Sequence, residues 1–192
     1  MAHPSKGRIM DVWLIAVIVV LLAVGAAAFY ALRTRRATGS RQLKERFGGE
    51  YDRVVERAPD REQAEKELQR RVERRDQLDI TDLTQEQRDR YVTSWRDVQR
   101  RFVDDPEGTL GEADRLITQA MRDRGYPTEH FGQKVEDLSV DHADTINAYR
   151  EAHEIADRHE QAGVSTDELR LAMQRYRTVF ESIVGTQTTT GE

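Results

Sequence analysis

From about residue 40 onward, apolar residues return every third or fourth position, and no stretch of five or more residues alternates cleanly between apolar and polar. Such spacing gathers side chains on one face of an α-helix, whereas a half-buried strand needs a period of two. An all-α domain is predicted. Its punctuation is local and physical. Thr84 with Gln87, and Ser165 with Glu168, have the spacing of capping boxes, in which a hydroxyl and a carboxamide or carboxylate satisfy otherwise orphaned backbone N–H groups. Asp105 before Pro106 reads as a cap followed by proline at the first helical position. In Arg124-Gly125-Tyr126-Pro127, glycine supplies a left-handed stop, tyrosine an apolar contact, and proline forbids continuation.

The inward faces follow from that punctuation. One helix presents Tyr91, Trp95, Val98 and Phe102, and the next Leu110, Ala113, Ile117, Ala120 and Met121. A short helix around Glu129 to Leu138 carries Phe131, Val135 and Leu138. Another, capped by Asp141 or Ser139, is expected to run to about Gln161 with Ile146, Tyr149, Ala152 and Ala156 on one side. The last presents Leu169, Ala172, Met173, Tyr176, Phe180 and Ile183. A short turn at Gly163 joins these two, so they are expected to form an antiparallel hairpin. Before this core, a short helix from about Ser40 ends at Gly48 and Gly49, and a second, from Glu50, stops before Pro59. From Asp60 to Gln77, 12 of 18 residues are charged, which predicts a solvated helix touching the domain only through Ala64, Leu68 and Val72.

The beginning of the chain is different. From Val12 to Leu32, 20 of 21 residues are apolar, Gly25 being the exception. A helix of that length reaches about 31 Å, against a bilayer hydrocarbon core of about 30 Å. The expected fold is thus one N-terminal transmembrane helix followed by a small helical bundle ending in the antiparallel hairpin. The expected segments are a flank (1–11), the span (12–32), a basic juxtamembrane segment (33–47), a charged helical connector (48–83), the helical core (84–184) and a disordered tail (185–192). Arg33, Arg35, Arg36 and Arg41 are placed to meet anionic headgroups of the lipid bilayer. Together with Lys44 and Arg46 they outnumber the amino terminus, Lys6 and Arg8 before the span, which favours a cytoplasmic domain in the cell membrane.

Charge splits along the chain. Residues 1–101 hold 21 Lys/Arg and 16 Asp/Glu, a net +5, and residues 102–192 hold 9 and 19, a net −10; the two sum to the −5 of the whole. An acidic distal half suits a cationic protein partner and argues against nucleic acid, because aromatic stacking surfaces need a basic field around them. With zero cysteines, disulfides, thiolate nucleophiles and Cys-containing metal sites are excluded.

Chemistry-bearing motifs are sparse. His153 and His159 lie six apart, about 240° around a helix, so they cannot ligate one metal as an HExxH pair does. No serine lies in a G-x-S-x-G turn and no GK[ST] follows Gly48-Gly49. Neither a catalytic residue nor a cofactor or metal site is therefore expected. The best polar cluster is Asp141, His142, Arg150 and His153, which could converge near one helix start.

The ordered segments ERFGGEYDRVVE, LDITDL, YVTSWRDVQRRFVDDP, EADRLITQAMRDRGYP, VEDLSVDH, YREAH and STDELRLAMQRYRTVFE together resemble a family of small single-pass membrane proteins of actinobacteria. The likeness covers residues 41–184, with Gly49 and Ala143 standing where relatives often carry proline. It implies a membrane-anchored helical domain and brings no activity with it. The function expected from all of this is a membrane-tethered, non-catalytic helical interaction or scaffold module. The alternative is a small-ligand sensor domain, and a metal-dependent enzyme stands behind both.

Overall fold

The computed structural model describes residues 39–185, and the chain divides into two compact units, Met1–Gln42 and Leu43–Glu192. The described residues are all-α. Residues 39–47 are helical (α1), followed by α2 (Gly49–Arg57), α3 (Arg61–Asp76), α4 (Gln85–Asp104), α5 (Pro106–Arg124), α6 (Phe131–Asp141), α7 (Ile146–Ala162) and α8 (Thr166–Val184).

One expectation is corrected. Among the described residues no helix is long and apolar enough to cross a membrane, so the membrane-spanning part of the expected fold is not upheld. The reason is visible in the longest helix, α4, whose outward face carries Arg90, Arg96, Arg100 and Arg101. The run Val12–Leu32, the flank 1–11, the arginines Arg33, Arg35 and Arg36, and residues 186–192 of the expected tail lie outside the described residues. Arg41 is described, and is an exposed residue of α1.

The expected caps form. Thr84 and Gln87 bond reciprocally at the start of α4, as do Ser165 and Glu168 at the start of α8. Asp105 accepts from the Gly108 N–H at 2.9 Å and opens α5. Gly125 adopts φ 100°, with the Gly125 N–H donating to Arg122 O and the Tyr126 N–H to Met121 O. This is a Schellman stop. A Cβ there would lie 2.4 Å from the Asp79 carbonyl oxygen, so the loop before α4 and the end of α5 can approach only at glycine.

Cross-helix pairs show how the helices run. Glu151 meets Arg175 and Arg158 meets Glu168, pairs whose partners move in opposite directions along the chain, so α7 and α8 are antiparallel. Tyr91–Asp123 and Arg101–Glu112 give the same result for α4 and α5. α8 is central. It packs against α4, α5 and α7, burying Leu169, Ala172, Met173, Tyr176, Phe180 and Ile183 as the spacing predicts. Trp95 stacks on Phe180 with ring centroids 4.5 Å apart, and Tyr176 meets the edge of Tyr149.

A second, smaller core lies under α1–α3. Leu43, Phe47, Tyr51, Val54, Ala64 and Leu68 enclose it, and Val140 of α6 closes it. The charged helix α3 therefore does pack through Ala64 and Leu68, but its third buried position is Arg71, with Val72 only partly covered. The break between α6 and α7 also differs from expectation. α6 continues through Asp141, α7 begins only at Ile146, and neither Ser139 nor Asp141 caps it. Ser139 instead donates to Glu136 O at 2.6 Å, and Asp141 is held by side chains from elsewhere.

Trp95 is buried in the main core against Phe180, so Trp95→Ala should destabilise the fold by about 3–5 kcal/mol. Urea unfolding followed by circular dichroism measures this directly, and a loss below about 1 kcal/mol would remove Trp95 from that central role.

Candidate functional site

α2 and α3 are short of apolar surface, so charge must do part of the docking. Phe47, Tyr51 and Val54 pack inward, and the same turn carries Glu50 into the interior, where it is 1% exposed. Arg71, three residues beyond the buried Leu68 and thus on the same face of α3, arrives beside it. Its Nη1 donates to Glu50 Oε1 at 3.0 Å and to Ser139 Oγ at 3.3 Å, and its Nη2 pairs with Glu67. From α7, Arg150 approaches the other side of the carboxylate, its Nη2 reaching Oε1 at 2.6 Å and its Nη1 reaching Oε2 at 2.5 Å. The fork geometry of arginine suits such bidentate contact.

Burial alone would raise the Glu50 pKa. The hydrogen bonds and charges of Arg150 and Arg71 outweigh it, and the carboxyl is held below its ordinary 4.5. The same seam continues along α3 and α6. Arg74 donates to Asp137 at 2.8 Å and to Glu136 at 2.8 Å, and Asp137 is fully buried. Arg75 donates to Asp141 at 2.7 Å, and the Tyr126 hydroxyl donates to the same oxygen at 2.8 Å. Burial, then this bond to Asp141, pushes the Tyr126 pKa well up.

Asp141, His142, Arg150 and His153 are engaged by separate partners rather than by one another. Asp141 belongs to Arg75 and Tyr126, and Arg150 belongs to Glu50. His142 sits between Ser182 Oγ, 2.7 Å from Nδ1, and Arg124 Nη1, 3.4 Å from Nε2. Because a guanidinium only donates, Nε2 must accept, and Nδ1 carries the proton that goes to Ser182. This tautomer cannot deprotonate the serine. Burial and then Arg124 lower the His142 pKa and keep the ring neutral. His153 stacks on Phe131 at 3.6 Å and lies 3.6 Å from Asp157. Among the described residues no group of three or more His, Cys, Asp or Glu side chains could hold a metal ion.

Sequence reasoning missed Glu50, Arg71, Arg74 and Asp137. The available signal was Arg71 on the Ala64–Leu68 face of a helix with too few apolar residues to dock by itself. Compared with known proteins, the chain matches no family model, no curated protein and no solved structure.

Glu50→Gln should cost about 3–5 kcal/mol, because it leaves two arginines around a neutral amide. The sign of the pH effect follows from the lowered pKa. Glu50 contributes stability in full above its ordinary value of 4.5, and this is lost as pH falls below that value through the folded-state pKa. Urea titrations above and below this window should show the variant lacking that part of the acid destabilisation; an unchanged pH profile would remove Glu50 from the ionised centre.

Proposed function

We propose that the domain is a non-catalytic helical module that binds another protein through the outer face of α4 and its border with α5. The observation that carries this reading is a set of adjoining shallow depressions among the described residues, beside an exposed valine. Three concavities share Asp97 on the C-terminal half of α4. The one between α4 and α5, about 360 Å³, is lined by Asp97, Val98, Arg101, Glu112, Arg115 and Leu116 among others. At its neighbour stands Val103, 81% exposed, beside Arg96 and Arg100.

This chemistry suits a protein surface. An exposed apolar residue ringed by both signs of charge resembles the centre and rim of a transient interface, in which apolar contact supplies affinity and charge supplies orientation. Arg96 and Arg115 have no carboxylate partner among the described residues, whereas the charged groups of the seam between α3 and α6 are paired within the fold. Mobile, solvated charges can exchange partners at low cost, and buried ones cannot. The saturation of Asp141, His142, Arg150 and His153 by structural partners supports binding over catalysis.

A photo-reactive amino acid placed at position 103 in cells should give a discrete cross-linked product, diminished by Arg100→Glu. The same group at position 171, where Leu171 is 40% exposed on α8, is the comparison site. An identical product pattern from both positions, or none from 103, would overturn the assignment of this face.

A further inference from the structure

Around Glu50 the positive charges exceed the negative ones, and the excess sits at the edge nearest solvent. Arg71 and Arg150 share the Glu50 carboxylate, and Arg71 has Glu67 besides. Arg53, on the same face of α2, has no carboxylate in contact. Its Nη1 donates to the neutral Asn147 Oδ1 at 3.1 Å, an oxygen that also accepts from Arg150 Nη1 at 3.3 Å. Two guanidinium groups thus lean on one amide. The Nε of Arg53 and the Nε of Arg71 are both buried without an acceptor. Arg57, one turn beyond Arg53, is exposed and also lacks a carboxylate partner among the described residues.

Buried arginine N–H groups without acceptors are costly, and like charges without a counter-ion add to that cost. Burial, then the charges of Arg150 and Arg57, pull the Arg53 pKa below its ordinary value, and Glu50 and Glu151 offset this only in part. Glu151 is in any case 2.7 Å from Arg175 of α8. The enclosed Nε atoms lie out of an anion's reach, and the groups that can meet one are the partly exposed Arg53 and the exposed Arg57, since guanidinium forks bind a compact anion with several acceptor oxygens in bidentate fashion.

We propose that Arg53, Arg57, Arg150 and Asn147 form a binding site for a phosphate group, either free or carried by a small soluble phosphate ester. A dianionic phosphate fits better than a carboxylate because two arginines, Arg53 and Arg57, are uncompensated. Arg150 is a positioning residue here. Its fork is fixed by Glu50, and it holds Asn147 where Arg53 also reaches it. The site lies on α2 and α7, so it is independent of the α4 face, and each can fail without the other.

Inorganic phosphate is the probe for the full-length protein, with sodium chloride at equal ionic strength as the reference. Calorimetric titration should show saturable binding, and thermal unfolding should show a rise in midpoint that chloride does not produce. Arg53→Gln should weaken binding by about tenfold or more, equivalent to about 1.4 kcal/mol. Arg57→Gln, a change at an exposed side chain that leaves folding intact, should weaken it less, and Arg96→Gln on α4 should leave it unchanged. Glycerol phosphate binding more tightly than inorganic phosphate would assign the site to a phosphate ester, and the reverse order would assign it to the free ion. Phosphate acting no differently from chloride, or binding undiminished in both Arg53→Gln and Arg57→Gln, would overturn the site.

Discussion

The clamp of Arg71 and Arg150 on the Glu50 carboxylate ties together segments that are 21 and 100 residues apart. A carboxylate that is 1% exposed can remain ionised only while both partners are present, so the placements of α2, α3 and α7 are mutually dependent. Apolar burial supplies the driving force for both cores. Register comes from charge. α3 offers the interior only Ala64 and Leu68 as fully buried apolar side chains, too little to fix its rotation about its own axis. Arg70, Arg71, Arg74 and Arg75 do so by engaging Glu136, Ser139, Asp137 and Asp141 of α6, with Arg74 reaching Glu136 as well.

Elements specified by neighbouring residues were legible in the sequence. The caps at Thr84, Asp105 and Ser165 and the stop at Gly125 depend on three or four consecutive residues, and each forms. The inward stripes of α5 and α8 were legible for the same reason, because a helix repeats its own geometry. What depended on meeting a distant segment was not. Arg71 reads as one more solvated charge in a segment where 12 of 18 residues are charged, and only the presence of Glu50 behind it makes it a core residue. Asp141, His142, Arg150 and His153 were grouped by closeness in sequence. The turn at residues 142–145 separates α6 from α7, and each side chain finds a partner on another helix.

Counter-charge, rather than charge, distinguishes the arginines of this fold. Arg71, Arg74 and Arg75 each face a carboxylate within the domain, and the energy of those contacts goes into fixing α3. Arg124 combines both kinds of acceptor, donating to the carbonyl oxygens of Thr81 and Ile183 and, at 3.4 Å, to Asp82, so it stitches the end of α5 to the loop before α4 and to the end of α8. Arg53, Arg57, Arg96 and Arg115 are among the arginines with no carboxylate partner among the described residues, and these four fall on two separate faces, one on α2 and one along α4 and α5. A helical protein with 30 basic and 35 acidic residues has enough acidic groups to pair every arginine. An arginine left without a carboxylate by the packing is a position where an external anion or an acidic protein surface can pair without displacing an internal ion pair.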